Sequence, residues 1–238
     1  MTKKVIIVIV EGVSDEALLF ERLRFLYSKC EIKFEIQRCD LFYSNPPRKP
    51  IKEAIGNVVK DIMMKRKFKL KDILAVVHIT DTDGCFIPVA AIKVKSDQEA
   101  NTLYSDDAIL VNSEMQRQRI ADRNRVKSIN VSTMSSIDSS QSQKLNYQLY
   151  YFSRNLEHVI FNNANPEDDT KVDNVEAFVE SLSENLESFL TNFLPELTTK
   201  HYPSRHSESW TYIKSDLNSL KRGCNVSMMF EYLDSILN

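Results

Sequence analysis

The stretch "VIIVIVEGVSDEALLF", residues 5–20, decides the fold. Six aliphatic residues run up to Glu11 and then to Gly12, one of only four glycines in the chain. A short β-branched run bounded by glycine reads as a strand buried on both faces, as in a parallel sheet. Ser14 reads as the N-cap of a helix with acids in its first turn, and Leu18, Leu19, Leu23 and Leu26 mark its inner face. A carboxylate at the end of so apolar a strand is costly to desolvate unless something charged compensates it. Glu11 therefore asks for company.

The company comes from a second stretch of the same design, "ILAVVHITDTDG" at 73–84. Between the two, "IKFEIQRC" (32–39) alternates apolar and polar residues as an edge strand does, "FYSNPPRKP" breaks the pattern, and 51–66 reads as a helix. Strand, helix, strand, helix, strand predicts an open, mainly parallel α/β sheet flanked by helices, with right-handed crossovers. Ligands of such sheets bind outside the carboxyl ends of the strands where the strand order reverses. Glu11 and Asp81 are thereby expected in one crevice. Asp83, two residues beyond Asp81, shares its face while the chain stays extended, and Asp15 reaches in from the first helical turn. Carboxylates so packed repel unless protons or cations neutralise them, and hard divalent ions suit oxygen ligands best. Mg²⁺ or Mn²⁺ is the expected cofactor.

The remainder of the chain is less regular. Residues 86–112 mix short apolar and polar pieces, and "SEMQRQRIADRNRVK" (113–127) reads as a polar, basic helix. The Ser-rich stretch 128–144 reads as a loop, "YQLYYFS" (147–153) as a late strand, and "RNLEHVIFN" as a helix start. Helical periodicity follows over 172–194, 207–221 and 226–237. The expected organisation is a core over 1–165 with an insertion around 86–145, and a helical C-terminal cap over 166–238. His78, inside an apolar strand, reads as a core histidine, and Trp210, Tyr212 and Leu217 as core of the cap.

Composition sets outer bounds. The 238 residues are 42 % apolar and 27 % charged with a net charge of −2, and the pI is near 6.1. An ordinary globular chain fits these numbers, and no global basic field advertises nucleic acid. Any positive charge for a polyanion must be local, and the basic stretch 117–127 reads either as a solvated surface or as a phosphate-contacting arm. Four cysteines without metal-like spacing point to reduced thiols in the cytoplasm. No membrane span or targeting segment is expected, since the first apolar run is too short and Glu11 closes it.

"VEGVSD" followed by "ITDTDG" resembles the Toprim signature, the acidic core shared by topoisomerases, bacterial primases and several nucleases. The match falls on Glu11, Gly12, Asp15, Asp81 and Asp83 and covers roughly residues 4–90. The chain is most similar to small stand-alone Toprim nucleases and to the Toprim domain of the overcoming-lysogenization-defect nucleases. That resemblance implies a Toprim-like sheet and a nuclease hydrolysing phosphodiester bonds in DNA or RNA, tRNA included, with two Mg²⁺ or Mn²⁺ ions. Glu11, Asp81 and Asp83 would be catalytic, and Glu11, Asp15, Asp81, Asp83 and Glu157 would hold metal, with Glu114 as a second choice for the last place. Arg154 and Lys214 would contact substrate, with Arg222 as a further basic candidate. By analogy a partner ATPase and a role in anti-phage defence are expected. Two alternatives stand beside it. "ITDTDG" also resembles the nucleophile motif of haloacid dehalogenase phosphatases, in which Asp81 would be phosphorylated and Asp83 would act as acid and base. The acids would otherwise serve a non-catalytic, metal-binding interaction module.

Overall fold

The computed structural model describes residues 4–44, 50–136, 145–167 and 171–237. Strand β1 (Lys4–Val10) leads into helix α1 (Val13–Leu26), and then come strand β2 (Ile32–Arg38), a single turn α2 (Leu41–Ser44), helix α3 (Ile51–Arg66) and strand β3 (Ile73–Asp81). Three short strands follow, β4 (Ile92–Val94), β5 (Thr102–Tyr104) and β6 (Ile109–Val111), and then the long helix α4 (Glu114–Ser135). Strand β7 (Tyr147–Phe152) precedes α5 (Leu156–Phe161), α6 (Lys171–Ser181), α7 (Leu186–Thr191), α8 (Tyr202–Lys214) and α9 (Ser227–Leu237).

The main sheet has the order β2-β1-β3-β7, and every neighbouring pair is parallel. All six aliphatic residues of 5–10 are buried, because helices cover both faces of β1. Ile6, Val8 and Val10 meet α1, α6, α7 and α9 on one side. Val5, Ile7 and Ile9 meet α3, α4 and α8 on the other, where Trp210 and Ile213 lie. The chain leaves β1 toward β2 and later returns to its opposite flank as β3, so the strand order reverses between β1 and β3. That point is where an open α/β sheet forms its crevice.

Several expectations need correction. The region 128–136, read as a loop, continues α4 to Ser135, with Ile120, Val131 and Met134 on its buried side. Residues 137–144 of that stretch lie outside the described residues. The insertion forms a second sheet of order β4-β6-β5, which three-residue strands do not signal in sequence. The helix predicted over 172–194 is two, α6 and α7. The one predicted over 207–221 starts earlier, at Tyr202, and stops at Lys214, where Ser215 turns extended. Helix α1 is capped by Gly12 rather than Ser14. Tyr212 is 38 % exposed, so it is surface rather than core. The C-terminal helices are shared between the two faces of the sheet, where they supply core to both.

Candidate metal centre at the carboxyl edge of the sheet

Glu11 emerges from β1 beside Thr80 of β3, because the parallel register sets Ile9 against His78. Its Oε1 accepts a hydrogen bond from the Thr80 hydroxyl and one from the Asp81 amide at 3.2 Å. The side chain of Lys127, fully buried on α4, reaches the same carboxylate at 3.1 and 3.3 Å and Asp83 Oδ2 at 2.5 Å. Glu11 and Asp83 thus share one ammonium group.

Asp83 comes to this place by a route the extended-chain argument did not foresee. Strand β3 ends at Asp81, and Asp83 itself has φ +48°, in the left-handed region that aspartate tolerates better than most residues. Backbone bonds continue past the strand ends: the Thr82 amide donates to Phe152 O at 2.9 Å and the Asp83 amide to Arg154 O at 2.8 Å. Gly84 follows at φ +64°, and a Cβ there would stand 2.6 Å from Leu220 Cδ2, so only glycine makes the turn without displacing its neighbours. Arg123 donates to Asp83 O at 2.7 Å and Asn124 to Gly84 O at 3.2 Å, which fastens the turn to α4.

Asp15 sits in the first turn of α1, 5 % exposed, and accepts a hydrogen bond from the Gly12 amide at 2.8 Å. Glu157, in the first turn of α5, is 6 % exposed, and its charge bears on Asp15. Between the two groups stands Asp81, whose Oδ1 is buried with no hydrogen-bond partner among the described residues.

The electrostatics follow from burial first. Desolvation pushes Glu11 up to about 7 despite the opposing charge of Lys127. Desolvation likewise pushes Asp15 up to about 7, with Glu157 adding to the rise. Asp81 is raised well above the carboxylate range by burial and by the charges of Asp15, Glu11 and Asp83. Asp83 goes the other way: burial would raise it, and the cations Lys127 and Arg123 outweigh burial and hold it low. Burial would lower Lys127, yet Asp83 and Glu11 keep it charged. Asp40, just beyond the end of β2, also raises Glu11, so a third strand delivers an acid to this edge.

The donor set fits hard divalent ions in kind: carboxylate oxygens from three strand ends and two helix starts, one of them a buried oxygen without a partner. As the side chains stand, no three His, Cys, Asp or Glu among the described residues are gathered closely enough to hold an ion. Lys127 takes the space between Glu11 and Asp83.

The predicted residues divide accordingly. Glu11, Asp15 and Asp83 lie within reach of the charge of Asp81, and Glu157 within reach of Asp15, though not close enough as they stand to share an ion. Arg154 does not join them through its side chain: its guanidinium turns to Asp106 at 2.5 Å, while its buried Nε has no partner. Lys214 donates to Ser135 Oγ at 2.7 Å and lies over the Trp210 ring. Arg222 binds the carbonyls of Val159 and Ile160, and Glu114 is paired with Arg117 at 2.7 Å on the surface. His78 is a core residue, stacked on Phe42, with Nδ1 2.8 Å from the Tyr147 hydroxyl.

Lys127, which bridges Glu11 and Asp83, is one of five basic residues in 117–127 and does not stand out there by charge. A signal for it exists. Ile120, Asn124, Lys127, Val131 and Met134 recur at spacings of four and three and are all buried. A lysine in phase with an apolar stripe is expected to face inward and to need an acid. The chain matches no family model, and searches among curated proteins and among solved structures find no match.

Proposed function

We propose that this protein is a divalent-cation-dependent phosphodiester hydrolase of the Toprim type acting on nucleic acid. The observation that carries the reading is the convergence of Glu11, Asp81 and Asp83, with Asp15 and Glu157 alongside, where the strand order reverses. Asp15, Asp81 and Glu157 would hold one ion, and Glu11, Asp81 and Asp83 would hold a second where Lys127 gives way to it. Bound there, divalent ions would make a water nucleophilic near neutral pH and stabilise charge on the attacking and leaving oxygens. The chain's own groups do the rest. Thr80 and the Asp81 amide orient Glu11. Lys127 and Arg123 bring positive charge to an otherwise acidic crevice. A partner ATPase and an anti-phage role rest on the resemblance to overcoming-lysogenization-defect nucleases alone.

The test is incubation with plasmid, single-stranded DNA, total RNA and tRNA in Mn²⁺, against an EDTA control. Asp81→Asn is expected to lower cleavage by roughly 10²–10³-fold, the scale set by removal of one preorganised group. Glu11→Gln should lower it comparably, whereas a phosphatase working through an Asp81 nucleophile would survive that change. Cleavage that persists in Asp81→Asn would refute the reading.

A further inference from the structure

A cleft of about 990 Å³ runs along the flank of α4, between that helix and the segment that follows Asp83. Its inner end is built from Cys85 and Asn124, one on each side of the Gly84 carbonyl that Asn124 binds. Cys85, two residues past Asp83, lies within reach of the charges of Asp83 and Glu11, so this end of the cleft neighbours the carboxylate cluster. One wall carries Arg125, Ser128 and Ser132 in a line along the helix, about 10 Å of axis from first to last. Lys214, held by Ser135 and the Trp210 ring, also lines the cleft, together with Phe86 and the 57 % exposed Ile129. The acid in this wall, Asp122, lies 3.7 Å from Arg125 and leaves the guanidinium 67 % exposed.

We propose that this cleft holds an unpaired nucleic-acid strand and feeds it to the carboxylate cluster. The proposal rests on the hydrolase reading and sharpens it to a substrate class. A cation and two hydroxyls in line on one helix face, with a second cation elsewhere in the lining, suit a chain of phosphates and sugars. Apolar lining side chains with an aromatic ring among them suit bases, whose faces stack without regard to sequence. The volume lies at the upper end of the range for small-ligand clefts, about 300–1,000 Å³. It takes a few nucleotides of one strand but not a double helix, whose major groove alone is about 12 Å wide.

The test measures binding apart from cleavage. Fluorescein-labelled oligothymidine, oligouridine and a blunt duplex are titrated in Ca²⁺ and read by anisotropy. Both single strands are expected to bind and the duplex to bind at least tenfold more weakly, since its strands cannot enter the cleft. Arg125→Glu and Lys214→Glu should each weaken single-strand binding roughly tenfold and reduce the salt slope by about 0.7 per lost phosphate contact. Ser132→Trp, which fills the cleft without changing charge, should weaken binding too, and unchanged melting curves certify that the variants are folded. Duplex binding as tight as single-strand binding, absence of single-strand binding, or wild-type affinity in all three variants would each overturn the proposal. The same samples are then assayed in Mn²⁺. A wild type that binds single strands yet cuts none leaves the cleft assignment standing and removes the hydrolase. A wild type that cuts while the variants bind normally does the reverse.

Discussion

The carboxylates at the sheet edge fall into two halves with different bookkeeping. Glu11 and Asp83 are compensated from within by Lys127, which is fully buried and touches both. Asp15 and Glu157 have no such cation among the contacts described; Asp15 is held by backbone amides, that of Gly12 foremost. Asp81 lies between the halves with one oxygen unpaired. The difference teaches how a chain stores an acidic site. One half contains a built-in cation, whereas in the other Asp15 has no cation in contact and is raised to about 7 by burial.

The largest expected effect breaks the compensated half. Lys127→Met keeps most of the side-chain volume and leaves Glu11 and Asp83 buried without a counter-charge. Loss of one partner of a buried pair costs about 3–5 kcal/mol, and denaturant unfolding should show a loss of that size in EDTA. The vacated space should then take a divalent ion, so Mg²⁺ or Mn²⁺ should restore stability more in the variant than in the wild type. A variant as stable as wild type in EDTA would mean that Lys127 does not carry this half.

A smaller change probes one hydrogen bond of the same half. Thr80→Val preserves shape and removes the hydroxyl that donates to Glu11. A buried acceptor stripped of its donor costs about 1–3 kcal/mol. The expected loss lies in that range, below that of Lys127→Met, and equal losses would show that the ammonium contributes no more than the hydroxyl does.

The same division explains what could be read in the sequence. Strand-end acids were legible because β1 and β3 are nearly pure aliphatic runs, so a carboxylate at their ends stands out against the cost of burying it. The parallel order and the crevice followed from strand–helix alternation. Asp83 was expected for the wrong reason: it joins the site through a left-handed turn anchored to α4, a conformation set by long-range contacts. Lys127 was hidden because charge alone cannot separate an inward lysine from the exposed Arg119 or Arg125 eight and two residues earlier. Its helical phase could have done so, had α4 been followed through the serines to Ser135. The small sheet was illegible, since three-residue strands carry too little periodicity to register.

The uncompensated half yields the smallest and most discriminating prediction. Glu11 and Asp15 both have folded-state values near 7, against ordinary values of 4.5 and 3.8, chiefly through burial. A carboxyl raised on folding contributes stability below its unfolded value and loses that contribution as pH rises through its folded value. Above about pH 6.5, where the buried histidines His78, His158 and His206 add no further stability by losing their protons, metal-free protein should therefore lose stability up to about pH 8. Asp15→Asn keeps an oxygen for the Gly12 amide and removes the ionisation. It should flatten this decline and stabilise the metal-free chain at pH 8 by about 1 kcal/mol, while the wild type gains more from Mn²⁺ than the variant does. If the decline were unaltered in Asp15→Asn, the strain would reside in the Glu11 half despite Lys127, and the contrast between the two halves would fail.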